Sequence, residues 1–222
     1  ENPWQKIKSS LPSTDSAKVF AEFDNLNVTK FQGLQTVFDG RFEDLTPFIQ
    51  KMRLIKSQDE IEKMLIAGQF ADKAVQVGFD NISLDNTETD VIAMIEFEMK
   101  KQGVEKMSFD TMVLTGNNAA NPHGIPGTNK IENNSLLLFD LGTDMHGYAS
   151  DMTRTVAVGK PDQFKKDIYE LCLEAQLTAQ EFIKPGVLAS EVDAAARNVI
   201  EKSGYGEYFN HRLGHGIGMT CH

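Results

Sequence analysis

Apolar positions along the chain repeat first at helical and then at strand spacing. Ile61, Met64, Leu65, Ala71, Val75 and Phe79 recur at helical intervals behind Ser57 and Glu60, whose spacing makes a capping box. They predict an amphipathic helix of about twenty residues. A second helix starts near Thr87 to Asp90, continues through VIAMIEFEMKKQ and stops at Gly103. SFDTMVLTG then reads as a strand, and the loop NNAANPHGIPG holds His123 among two prolines and two glycines, outside regular structure. Next come two runs that suit strands, SLLLFD and YASDMTRTVAV, around a turn bounded by Gly142 and Gly147, which predicts an antiparallel hairpin. The pattern then restarts. Phe164, Ile168, Leu171, Cys172, Ala175, Ala179, Phe182 and Ile183 form a helical stripe closed by Pro185 and Gly186. Ser190 with Asp193 caps a further helix through AAARNVIEK that ends at Gly204. Helix, helix, strand thus stands once before the hairpin and once after it, which hints at two similar halves. Residues 1–56 carry a strand or two and a short helix near Asn25 to Gln32.

The hairpin holds the first candidate chemistry. With the turn centred between Met145 and His146, Asp140 and Asp151 face each other directly. Like charges at cross-strand positions repel, so a bare pair destabilises the sheet and a bound cation reverses the sign. A shared proton or a different register are the other ways out. The last stretch, YFNHRLGHGIGMTCH, concentrates three of the chain's five histidines. His211 and His215 share a face if the stretch is a strand, and Gly214, Gly216 and Gly218 argue against a helix. Asp140, Asp151 and His215 together are two hard oxygens and one imidazole, a set suited to manganese, cobalt, iron or zinc in a hydrolytic site.

Composition narrows the classes. The 222 residues are 41% hydrophobic, enough for a real core, and the net charge of −10 speaks against nucleic acid or an anionic membrane as partner. No apolar run is long enough to span a bilayer. Two cysteines, with Cys172 on the apolar side of its helix as a reduced buried thiol, favour a reducing, cytoplasmic setting. The chain opens on Glu1 rather than Met, so this reading places the natural N-terminus upstream.

The motifs NPHGIPG, DLG with Asp140, SDMTRT with Asp151 and HRLGHGIG with His215 stand in an order that resembles the pita-bread metallopeptidases, the family of aminopeptidase P, prolidase and methionine aminopeptidase. The HRLGHGIGM form is similar to that of bacterial Xaa-Pro dipeptidases. The resemblance covers about Leu54 to His222. It implies an α+β pita-bread fold, a curved antiparallel sheet flanked by helices in two similar halves. Residues 1–54 are then a remnant of the amino-terminal creatinase-like domain plus linker, and 55–222 the first part of the catalytic domain, without its C-terminal strands.

Position by position, the resemblance implies Asp140, Asp151 and His215 as metal ligands for two divalent ions, manganese before cobalt or zinc. It implies His123 and His222 as histidines near the reacting substrate, with His211 a further substrate-side candidate. The family completes its site with two glutamates, which would lie beyond His222, so the expectation for this chain alone is weak metal binding and no activity. The implied reaction is hydrolysis of the bond before proline in Xaa-Pro dipeptides or short proline-containing peptides. An Xaa-Pro aminopeptidase is the alternative, and a non-catalytic binding module of the same fold a third. The family also implies a homodimer.

Overall fold

In the computed structural model, residues 2–11 and 18–222 are described, and they divide into two compact units, 1–57 and 58–222. In the first unit, side chains that accept backbone N–H groups start two of the three helices. Asn2 accepts from Trp4 at the head of α1 (Pro3–Ser10), and Asn27 accepts from Lys30 at the head of α2 (Val28–Val37). The helix expected near Asn25 to Gln32 is α2, displaced toward the C-terminus. Strands β1 (Val19–Ala21) and β2 (Phe42–Asp44) pair in parallel, and α3 (Thr46–Leu54) follows. Phe31 meets Phe23 and Phe42 edge to face, with ring centroids 5.9 and 5.1 Å away.

The second unit is organised by small residues. Helix α4 (Gln58–Asp80) turns Ala67, Ala71, Ala74, Val75 and Gly78 inward, and α5 (Glu88–Lys101) turns Val91, Ile95 and Met99 inward. The capping box of α5 forms with Thr87 and Asp90: Thr87 N–H donates to the Asp90 carboxylate at 2.8 Å and Asp90 N–H to the Thr87 hydroxyl at 3.1 Å. Along α4 the expected stripe is half right. Ala71 and Val75 are buried, whereas Ile61 and Leu65 are exposed and border a small cavity beside Asp151, because the first turns of α4 run past the main core.

Strands β3 (Lys106–Met107), β6 (Thr143–Met145) and β7 (Tyr148–Ala149) form one three-stranded antiparallel sheet. Strands β4 (Met112–Thr115), β5 (Ser135–Leu141) and β8 (Met152–Val158) form another. On β5, Leu137, Phe139 and Leu141 are fully buried against the helices, and Leu136, Leu138 and Asp140 take the opposite face. Phe139 sits against Phe79 edge to face, and a Cβ on Gly78 would lie 2.6 Å from the Phe139 ring. Gly78→Ala is therefore expected to cost about 1–3 kcal/mol through overpacking, read as a lower urea midpoint at unchanged slope. An unaltered midpoint would mean that Phe139 yields without cost.

Helices α6 (Gln163–Phe182) and α7 (Ala189–Lys202) pack together through Ala175, Ala179, Ala196 and Ile200, a cluster separate from the main core. Two expectations are corrected here. Cys172 is exposed, on the wall of a cavity of about 1270 Å³ between α6 and the outer face of β5 and β8, because only the alanine edge of the α6 stripe meets α7. Ser190 does not cap α7: the helix begins at Ala189, the Glu191 carboxylate accepts the Leu188 N–H at 2.8 Å, and Asp193 turns to Arg197.

Candidate metal centre

The hairpin closes on two residues, His146 and Gly147, both with positive φ, 56° and 77°. That is the requirement of a type I′ turn, whose twist matches paired strands. The turn centre therefore lies one residue later than the sequence reading places it, and every partner moves by two. Asp140 stands opposite Thr153, not Asp151. A shift of two preserves side-chain alternation, so Asp151 remains on the Asp140 face, diagonal to it. Gly142 makes the approach between the two sheets possible, since a Cβ there would lie 1.9 Å from the Ser150 carbonyl oxygen.

The C-terminal segment brings imidazoles to these carboxylates. It is not the expected strand; its glycines leave it irregular, and it meets the hairpin through the Ala149 N–H, which donates to the Gly218 carbonyl at 2.8 Å. His215 Nε2 then lies 3.2 Å from Asp151 Oδ2, and the buried Cys221 thiol donates to the same oxygen at 3.4 Å. The His222 ring lies over that of His215, with centroids 4.2 Å apart. Thr153 donates its hydroxyl to Asp140 Oδ1 at 2.8 Å.

Burial raises the Asp140 carboxyl above the usual carboxylate range. The Thr153 hydrogen bond opposes that rise, the Asp151 charge adds to it, and His215 and His222 again oppose it. The Cys221 thiol is pushed up to about 12, first by burial and then by Asp151. His215 Nδ1 faces the Gly216 carbonyl at 2.9 Å, and since a carbonyl only accepts, Nδ1 carries the hydrogen. Nε2 then meets a carboxylate favourably only with a proton on it or a cation between them. A backbone partner on one ring nitrogen that frees the other is the usual arrangement of a metal-ligating histidine.

The sequence candidates divide. Asp140, Asp151, His215 and His222 come together. His123 and His211 stand apart: among the described residues no hydrogen bond, ion pair or ring contact joins either to that group. His123 is exposed on its loop, its N–H donating to Asn121 at 3.1 Å, and His211 Nδ1 donates to the Arg212 carbonyl at 2.8 Å. Thr153 and Cys221 are additions that sequence reasoning missed. Thr153 becomes visible once the I′ turn is placed on His146-Gly147, and Cys221 has no signal beyond its neighbour His222.

Among the described residues no three His, Cys, Asp or Glu side chains converge as a formed metal site. The donor types nonetheless fit a divalent ion. A desolvated carboxylate beside a second one, with an imidazole lone pair aimed at it, is an arrangement that positive charge stabilises.

The profile of metallopeptidase family M24 matches residues 62–222. The chain is 46% identical over 227 residues to an Xaa-Pro dipeptidase of Lactobacillus delbrueckii subsp. lactis, an alignment covering all of this chain and 62% of the relative. The crystal structure of the prolidase from Pyrococcus horikoshii OT3 superimposes with a TM-score of 0.91 at 39% identity, over 98% of this chain and 62% of that one. An X-Pro aminopeptidase from Thermotoga maritima MSB8 superimposes with a TM-score of 0.89 at 32% identity, over 100% and 62%. The chain thus spans 62% of the length of the curated relatives it matches first. Residues 62–222 have the α+β architecture of part of the pita-bread fold, and the chain belongs to metallopeptidase family M24.

Proposed function

We propose that this chain supplies part of the active site of a metal-dependent Xaa-Pro dipeptidase of the prolidase type. The observation that carries the reading is the Asp140, Asp151 and His215 group, with His215 Nε2 at 3.2 Å from Asp151 and its Nδ1 tied to a backbone carbonyl. The similarity to an Xaa-Pro dipeptidase and to a prolidase supports the substrate class. Residues 1–54 belong on this reading to an amino-terminal domain and linker, and 55–222 to the first part of the catalytic domain. No helix among the described residues is long and apolar enough to cross a membrane; the proposed setting is cytoplasmic and the proposed assembly a homodimer.

Asp140, Asp151 and His215 would hold divalent metal, two ions when the site is complete, with manganese first and cobalt or zinc as alternatives. Bound metal would supply Lewis acidity at the scissile carbonyl and make water acidic enough to lose a proton near neutral pH. The chain's own groups do the rest. Thr153 holds Asp140 in one rotamer through its hydroxyl, and the Gly216 carbonyl fixes the His215 tautomer. Cys221, its thiol pushed up to about 12 by burial first, donates to Asp151 and so restrains that carboxylate. His222, whose ring lies over that of His215, would on this reading hydrogen-bond the carbonyl oxygen or carboxylate of a substrate. His123, on the loop bordering the cavity, and His211 are the other substrate-side groups. Xaa-Pro bonds need such a dedicated site because proline has no N–H for the grip peptidases use on extended chains.

The test uses the full-length protein, stripped with chelator, reloaded with manganese, cobalt or zinc, and offered Leu-Pro beside Leu-Pro-Gly. Metal-dependent cleavage of Leu-Pro is expected, and Asp151→Asn should lower it by more than the roughly 10–100-fold typical of losing an outer partner of a metal ligand. Preference for the tripeptide would transfer the reading to an Xaa-Pro aminopeptidase, which the likeness to the Thermotoga maritima structure supports. Cleavage of neither peptide, with no metal retained, would leave a binding module.

A further inference from the structure

Residues 209–213 lead directly into His215 and lie outside helix and strand. Irregular backbone must find partners elsewhere, and here two side chains of one helix provide them. Asp193 and Arg197 lie one turn apart on α7, with Arg197 Nε donating to Asp193 Oδ2 at 3.0 Å and Nη2 to Oδ1 at 3.4 Å. The same guanidinium donates from Nη1 to the Phe209 carbonyl at 2.7 Å and from Nη2 to the His211 carbonyl at 3.1 Å. It also lies over the Phe209 ring, 4.6 Å from the centroid. Asp193 Oδ1 accepts the Leu213 N–H at 2.8 Å.

Three main-chain groups of a five-residue stretch are thereby tied to a single ion pair, and the last of them is two residues from His215. Beyond that point the restraints are few. A Cβ on Gly214 or on Gly216 would meet nothing within 4 Å, so neither glycine is packed in place. The next main-chain anchor is the hydrogen bond that Gly218 accepts from Ala149. His215 is thus strung between a clamp at Leu213 and a dock at Gly218, and the clamp sets the reach of its imidazole to Asp151.

We propose that Asp193 and Arg197 are positioning residues for His215: the pair fixes the 209–213 segment so that His215 Nε2 is presented beside Asp151 for divalent metal. The inference rests on the metal reading of Asp140, Asp151 and His215, and assigns to α7 a role in that site beyond packing on α6. Arginine is required rather than any cation, because the planar fork serves Asp193, two carbonyls and an aromatic face at once.

The experiment titrates the chelator-stripped full-length protein with cobalt(II), following its visible absorption, for the native protein, Arg197→Ala, Arg197→Lys and Asp193→Asn, with thermal unfolding of each apo form alongside. Arg197→Ala is expected to weaken cobalt binding about 10–100-fold, as loss of an outer partner does, and to change the absorption band. Arg197→Lys should recover only a minor part of the affinity. Asp193→Asn, which keeps an oxygen for the Leu213 N–H and loses the ion pair, should fall between. Lower thermal stability with unchanged cobalt affinity and spectrum would overturn the proposal and leave the pair a purely structural clamp. A native protein that binds no cobalt at all would instead remove the metal reading, and the two failures are therefore distinct.

Discussion

Replacing Glu88 with leucine is expected to destabilise the protein by about 1–3 kcal/mol, the cost of leaving a buried donor without its acceptor. Glu88 lies in the first turn of α5 and is completely buried. Its Oε1 accepts the Thr115 N–H at 2.9 Å and the Asn118 amide at 3.0 Å. Its Oε2 accepts Asn118 at 3.1 Å, the Gly127 N–H at 2.9 Å and the Asn129 amide at 3.1 Å. All the donors are neutral amides, and they come from the two ends of the loop that carries His123. Leucine would leave the buried Thr115 N–H without an acceptor, together with the half-buried Asn118 and Gly127 donors, and a buried orphan costs about 1–3 kcal/mol. Within the loop, Asn118 passes the restraint on, donating to the Ile125 carbonyl at 3.1 Å. Urea unfolding would read the stability, and hydrogen exchange at Gly127 the loosening of the loop. A loss under about 1 kcal/mol, the net worth of one ordinary hydrogen bond, would show that the donors find replacements and that Glu88 does not organise this loop.

Asp140→Asn is expected to act in opposite directions on metal and on fold. Asparagine keeps an oxygen for the Thr153 hydroxyl but carries no charge for a cation, so affinity for divalent metal should fall by well over the roughly 100-fold upper range of outer-partner losses. Without metal the sign reverses. Burial, with Asp151 adding to it, raises the folded-state value of Asp140 above the unfolded one, so the folded protein holds that proton more tightly. The stability this contributes is fully present below the ordinary carboxylate value of about 3.9 and is lost as pH rises through the raised folded value. Above that window the ionised group is a burden that asparagine does not share. In chelator at pH 7 the variant should therefore melt higher than the native protein, and the two should converge in acid. A variant that melts lower at pH 7 would mean that the carboxylate is already compensated without metal.

The legibility of these features follows their range along the chain. Helix α4 is legible from apolar periodicity, and α5 also from its cap, because both signals act within a few residues, as the Thr87 and Asp90 pair does. The separation of Asp140 from Thr153 is only thirteen residues, yet a turn centred between Met145 and His146 puts the hairpin one residue early. The signal was available: a glycine in the second turn position, as in His146-Gly147, favours a I′ turn. Because the error moved each partner by two, the carboxylates stayed on one face, and the candidate site survived a wrong register. The burial of Cys172 failed for another reason: a helical stripe says which side is apolar, not whether a neighbour covers it, and α7 covers only the alanine edge.

The order of four motifs determined family membership and therefore the fold class, since motif order is a property of the chain itself. Residue type also selected the acids and imidazoles suited to a divalent ion. Only the tertiary structure decided which of them meet. It set Asp151 diagonal to Asp140 and drew His215 and His222 to it through one backbone hydrogen bond at Gly218. It left His123 and His211 outside the group. It also gave buried Glu88 and the Asp193–Arg197 pair partners that no local rule assigns. Glutamate in a helix's first turn, or Asp and Arg four apart, is ordinary in sequence. What they hold depends on which distant backbone groups lack partners of their own, and that is settled when the chain folds.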